Sequence, residues 1–282
     1  HLPSGGWGFK WMGDPDLGFG NMQPGGWIFS ILPYIEQGNV TMIGKGLPLA
    51  QKRLELGRQM GAVIPIMNCP SRRSAIGYPG HTPAGTSPDS PIHNVDDSAV
   101  PALVAKTDYA MNGGNSHLGI SSGDGAPVGC DDLRNPLWTL PPPAGCSGWA
   151  HLADTRLIGV PPSPGLTGIV AIRSKTTLRE ISDGTSNTIL AGEKFLRPQH
   201  YESGVGLAAD GKGNPGDNSA MYQGYDYDNV RLPGTNNLPL PDASPEAGDV
   251  QEKRWFGSPH AGGINGVMVD GSLPNISYDN DG

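Results

Sequence analysis

Residues 264–278 read Ile264-Asn-Gly-Val-Met-Val-Asp270-Gly271-Ser-Leu-Pro-Asn-Ile-Ser-Tyr278, and this stretch decides the fold class. Two apolar runs, 264–269 and 273–278, flank Asp270-Gly271. Asp-Gly between such runs is a strong short-range hairpin signal, because glycine readily takes the positive φ that a tight turn requires. Working outward, 188–191 and 168–172 are further strand-like runs, while 47–60 carries the clearest helical pattern. There Pro48 stands near the first turn, and Leu49, Leu56, Met60 and Val63 form one apolar stripe. Residues 25–36 place Trp27, Ile31, Tyr34 and Ile35 at helical spacing, but Pro33 interrupts the ladder. A short kinked helix and a buried extended segment both fit. The expected class is α+β, with an antiparallel sheet, one main helix and long irregular insertions.

The chain has 282 residues, of which 43 are Gly and 28 Pro, a quarter of the total. That level approaches low-complexity disorder, but these residues are interleaved with Trp, Tyr, Ile, Leu and Val. Only 16% of the chain is charged, which suits a folded, loop-rich protein. A net charge of -8 with scattered basic residues argues against nucleic acid as a partner. No stretch reaches the roughly 20 apolar residues needed to span a bilayer. The abrupt opening, His1-Leu-Pro-Ser-Gly-Gly-Trp7, reads like the middle of a protein. Long polar loops cover 77–101 and 113–143, too long for simple connectors.

Cys130 and Cys146 flank a Pro-rich loop, so a disulfide between them is expected, worth about 3 kcal/mol by loop entropy. Cys69 is then left over, and an odd cysteine in a secreted chain invites a partner elsewhere. Three reduced thiols in a cytosolic protein is the plainer alternative.

Several segments together resemble a known family. His260 is followed by nine residues and then Asp270-Gly271, an H-x(9)-D-G pattern set in Phe256-Gly-Ser-Pro-His-Ala-Gly-Gly-Ile-Asn265. Upstream lie Gly26-Trp27 through Leu32-Pro-Tyr-Ile-Glu-Gln37, Cys69-Pro-Ser-Arg72, Thr107-Asp-Tyr-Ala-Met-Asn-Gly113 and Ile181-Ser-Asp183-Gly-Thr-Ser-Asn-Thr-Ile-Leu-Ala-Gly-Glu193. In that order they resemble the planctomycete-type prepilin-like family whose carboxyl end carries the prepilin-processing-associated H-x(9)-D-G domain. The resemblance implies a pilin- or pseudopilin-like fold in one domain over 1–282, with an amino-terminal part (26–112), insertion loops (113–165) and a carboxyl-terminal sheet (166–282). It also implies an upstream apolar helix, absent from this sequence, as the only membrane contact, and a cysteine there as a natural partner for Cys69. The implied role is an extracellular, cell-surface or periplasmic structural subunit that self-associates into a filament, and not an enzyme.

His260 and Asp270 cannot share one metal if 264–269 is a strand, because a rise of about 3.3 Å per residue separates the ends by about 20 Å. Gly262-Gly263 could supply a bend. The plainer reading has His260 bonding a loop carbonyl and Asp270 shaping the turn. Asp183 begins turn chemistry, and Glu193, past an apolar run, would be partly buried and need a partner such as Arg or a cation.

For a cation, Asp210, Asp217, Asp226 and Asp228 offer the oxygen ligands calcium favours, although 226–228 fails as an EF-hand because Val230 falls where a ligand belongs. A solvated acidic loop is the bland alternative. Enzyme signatures fall away. Gly119-Ile-Ser-Ser-Gly123 matches G-x-S-x-G, but the following Asp-Gly-Ala-Pro cannot open the helix that a nucleophile elbow needs. Six tryptophans, with Trp7, Trp11 and Trp27 close together, make polysaccharide binding the rival function. Core or interface anchoring is the ordinary use of such residues.

Overall fold

The computed structural model describes residues 1–7, 9, 11–20, 23–80, 92–114, 168–171, 174–203, 214, 216–234, 237–245 and 248–278. Cys130, Cys146, Asp210, Trp138, Trp149, residues 81–91 of the first long polar loop and residues 115–143 of the second lie outside the described residues.

The chain is mixed α+β. Helix α1 (Trp27–Ile31) ends where Pro33 removes a backbone donor, and the next turn, Leu32–Ile35, tightens into a 3-10 helix. Glu36 closes it in the left-handed region, φ 61°, with its N–H returned to the Leu32 carbonyl. The kinked helix, rather than the extended segment, is what forms. After the short α2 (Gly38–Thr41) comes α3 (Leu49–Met60), twelve residues long, with Pro48 at its amino-terminal boundary and Gly61 at its carboxyl cap. Leu56 and Met60 are fully buried, as the stripe predicted, and Leu49 and Val63 are half-buried. Helix α4 (Asp249–Arg254) precedes the last strands.

Small strands β1 (Tyr78–Pro79) and β2 (Leu103–Val104) pair antiparallel. The main sheet has five strands in the order β5-β3-β4-β8-β9. These are β3 (Tyr109–Asn112), β4 (Ile189–Glu193), β5 (Val230–Arg231), β8 (Ile264–Met268) and β9 (Asn275–Ile276). All neighbours pair antiparallel except β3 with β5. A separate parallel pair joins β6 (Leu240–Pro241) to β7 (Gly257–Ser258). Three of the expected strands form, as β4, β8 and β9; residues 168–171 are not a strand.

The hairpin forms around Asp270-Gly271. Gly271 has φ 86°, and the Asp270 carboxylate accepts from the Ser272 N–H (2.9 Å) and hydroxyl (2.7 Å). The 183–188 turn lies against it: Asp270 N–H donates to the Thr185 carbonyl and Val269 N–H to that of Thr188.

The main core gathers α1, α3 and the sheet around Phe29, Leu32, Leu56, Met60, Val104, Met111, Tyr222 and Val230. Trp7, Trp11 and Trp27 are buried too. Trp7 and Trp11 meet edge to face at 5.2 Å, and the Trp27 indole N–H donates to the Asn229 carbonyl. A smaller cluster of Ala110, Phe256 and Ile264 sits beyond β4.

Candidate functional site

Adjacent residues on a strand point to opposite faces, and at the end of β4 this separates two neighbouring charges. Lys194 turns into a buried ionic frame. Its Nζ contacts Asp217 Oδ1 at 2.7 Å and donates to the carbonyls of Gly216 and Asp228. Arg73 grips the same Asp217 carboxylate with contacts of 2.5 and 3.1 Å and reaches Asp108 at 2.8 Å. Lys106 Nζ lies 3.5 Å from Asp217 Oδ2. Arg72 joins Asp242 (2.9 Å) to Asp108 (3.4 Å) and donates to the carbonyls of Lys194 and Gly257.

All these side chains are essentially inaccessible to solvent. Burial alone would raise the Asp217 pKa, yet Arg73, Lys194 and Lys106 outweigh it and hold the carboxyl far below the usual range. For Lys194 burial prevails over Asp217 and Asp228, bringing the ammonium down to about 8.

Glu193 turns the other way, into a different environment. Its Oε2 accepts the Asn265 N–H (2.8 Å), and its Oε1 lies 3.2 Å from His260 Nε2. Cys69 Sγ is 3.8 Å from that same Nε2. Cys69 and Glu193 are buried, whereas the His260 side chain is 32% exposed.

Each member is fixed by its own local structure. Cys69 follows the 3-10 turn Pro65–Met67, and its N–H donates to Asp108 Oδ2, so one carboxylate serves both frame and site. The Cys69 thiol is pushed up by burial and by Glu193, against the opposing effects of the Ser71 N–H and Arg72. Glu193 pairs across β3 with Tyr109, whose phenol is driven to about 12 by burial and by the nearby Cys69 and Glu193. His260 is carried by the loop from β7 to β8. Ser258 Oγ accepts the His260 N–H and bonds the Gly263 carbonyl, and the Tyr278 hydroxyl donates to the His260 carbonyl. The loop bends at Gly263, φ 151°, where an added Cβ would lie 2.2 Å from the Ile276 carbonyl oxygen. Only glycine fits there.

The fate of the remaining residues is now plain. Among the described residues, Cys69, Glu193 and His260 form a group with metal-ligating potential, one ligand atom of each within 4.8 Å of the others. Asp270 shapes its turn, as expected, and Asp183 is exposed in a turn where its carbonyl accepts from Asn187. His260 does not bond a loop carbonyl through its ring, which faces Glu193 and Cys69 instead. Glu193 is buried as anticipated, but its partners are an imidazole and a backbone N–H, not an arginine.

Asp217 is enclosed by three cations of the chain itself and is not a vacant ligand. Asp226 and Asp228 are buried and interact with each other. Burial and mutual repulsion raise Asp226 well above the ordinary value, and burial likewise raises Asp228 despite the opposing effect of Lys194. His200, which has no metal-ligand spacing in the sequence, is buried against Glu252 at 2.7 Å.

The grouping of Cys69, Glu193 and His260 is not evident in the sequence. No short-range ligand spacing links them. The available signal was that each stands in one of the separately quoted segments, and that Glu193 called for a partner and Cys69 was left over from the expected disulfide.

A family model described as "Protein of unknown function (DUF1559)" matches residues 1–282, and the chain belongs to that family. No curated protein and no solved structure matches it.

Proposed function

We propose that this chain is the globular part of an extracellular structural subunit, pilin- or pseudopilin-like, that acts by associating with copies of itself at the cell surface or in the periplasm. The reading combines the resemblance to prepilin-like proteins with H-x(9)-D-G with one observation on the surface. Large apolar side chains stand exposed around the buried core. Tyr34 is 86% exposed, Met42 52% and Leu54 45%, all within residues 34–54, and Ile66, Ile76 and Leu103 are exposed as well. Single apolar residues at a surface are ordinary, and these are the positions that a second copy of the chain would cover.

The polysaccharide-binding alternative rested on exposed tryptophans. Trp7, Trp11 and Trp27 are core residues, each at most 6% exposed, whereas Trp255 is half-buried and Trp138 and Trp149 lie outside the described residues.

Electron microscopy of material from the source cells tests the proposal. Ordered filaments or tubes built from this chain are expected, and Tyr34→Asp together with Leu54→Asp should disperse them without altering the fold. Dispersed monomers alone would sink the reading and make a glycan array the next experiment.

Calcium, expected at Asp210, Asp217, Asp226 and Asp228, keeps its best support at Asp226 and Asp228, which bring two carboxylates together. Calorimetry with millimolar calcium on EDTA-treated protein decides it. Absence of both heat and a change in melting temperature would end the idea.

A further inference from the structure

We propose that Cys69, Glu193 and His260 form a three-ligand site for a zinc-type divalent cation, with the fourth position open to solvent on the His260 side. The donor chemistry of this group is independent of self-association. Thiolate, imidazole and carboxylate are the donors zinc takes, and three protein ligands with one open position is the pattern of its accessible sites. Calcium, which wants six to eight oxygens, is the wrong ion for a sulfur and a nitrogen.

The spacing agrees with that chemistry. Zinc bond lengths in a tetrahedron put sulfur and nitrogen about 3.5 Å apart, and nitrogen and oxygen about 3.4 Å. The corresponding separations in this chain are 3.8 and 3.2 Å, and the third pair, Cys69 Sγ and the Glu193 carboxylate, lies within 4.8 Å. The ligands have supports of the kind that metal sites use. Asn265 N–H fixes the second oxygen of Glu193, Asp108 fixes the Cys69 backbone, and Ser258 and Tyr278 fix the His260 backbone.

The principal rival is a thiol nucleophile activated by a His–Glu pair. In such a relay the imidazole uses one nitrogen for the nucleophile and the other for the carboxylate. Here a single nitrogen, Nε2, faces both Sγ and Oε1. Groups that converge on one point suit a shared cation better than a chain of proton transfers.

The test uses the reduced, EDTA-treated full chain and zinc chloride alone, followed by calorimetry, with cobalt(II) as an optical probe in parallel. One zinc per chain is expected, together with a thiolate-to-cobalt absorption band. Cys69→Ser should abolish the band. His260→Gln should weaken zinc binding by more than about 100-fold, since loss of a ligand exceeds loss of an outer-shell partner. His260 is partly exposed, so its variant should melt like the parent, which keeps the test decisive even if Cys69→Ser folds poorly. The proposal is overturned by absence of zinc binding to the folded reduced chain, or by unchanged affinity in His260→Gln, which would mean adventitious zinc. A disulfide at Cys69 in protein from the source cells would overturn it as well.

Discussion

The two faces of the β4 terminus make a natural comparison. On one side Lys194, Arg72, Arg73 and Lys106 meet Asp217, Asp108 and Asp242, and each carboxylate has a cationic partner. On the other side Glu193, Cys69 and His260 converge without any such cation among them, and the histidine reaches solvent. The same short segments build both: Cys69 with Arg72 and Arg73, Glu193 with Lys194. Saturated charge holds parts of the chain together, whereas converging ligands with an open edge are suited to taking something up. The frame therefore reads as structural, and the site is the place proposed to take up a cation.

The largest effect should come from breaking the frame. Asp217→Asn leaves Arg73, Lys194 and Lys106 buried around a neutral amide. Loss of one partner from a buried ion pair typically costs about 3–5 kcal/mol, so this variant should lose stability on that scale in a denaturant melt. The linkage has a definite sign. Asp217 is held below its unfolded value, so its contribution is full above that value and fades only as the pH falls through the folded one. A loss under about 1 kcal/mol, the level of exposed pairs, would remove the distinction between the two faces.

A smaller effect of opposite sign is expected at Asp226. Its carboxyl is raised in the folded chain by burial and by Asp228. A raised acid favours folding below its unfolded value, and that advantage disappears as the pH rises through the folded value. Asp226→Asn removes the titration and can keep the bond accepted from the Tyr227 N–H. Its melting temperature should exceed the parent's at neutral pH, and the gap should close toward pH 4. A gap constant with pH would show that the two carboxylates do not interact as described.

Much of the fold was legible because it is written in local chemistry. Asp270-Gly271 specified a turn, Pro33 a kink, and Leu56 and Met60 the inner face of α3. The frame was not legible. Arg72 and Arg73 are merely adjacent basic residues in the sequence, and only the fold gathers Asp108, Asp217 and Asp242, far apart in sequence, around them. Asp217 likewise read as a calcium ligand because the charges facing it come from remote segments. For the site, Glu193 was legible as a buried carboxylate in need of a partner, and His260 as a motif residue. Only the bend at Gly263 and the pairing of β4 with β8 place them together.

The smallest predicted effect separates the two ends of the H-x(9)-D-G stretch. His260 belongs to the converging site, while Asp270-Gly271 makes a solvent-facing turn at the far end of β8. Gly271 has φ 86°, and a Cβ added there would meet nothing within 4 Å. Gly271→Ala therefore carries backbone strain without a clash, and a left-handed conformation costs an L-residue about 1–2 kcal/mol. Stability should fall by about that much, and zinc affinity should stay at the parental value, because β8 and the 258–263 loop keep their own hydrogen bonds. If zinc affinity fell together with stability, the turn would be helping to position His260, and the stretch would act as one unit instead of two.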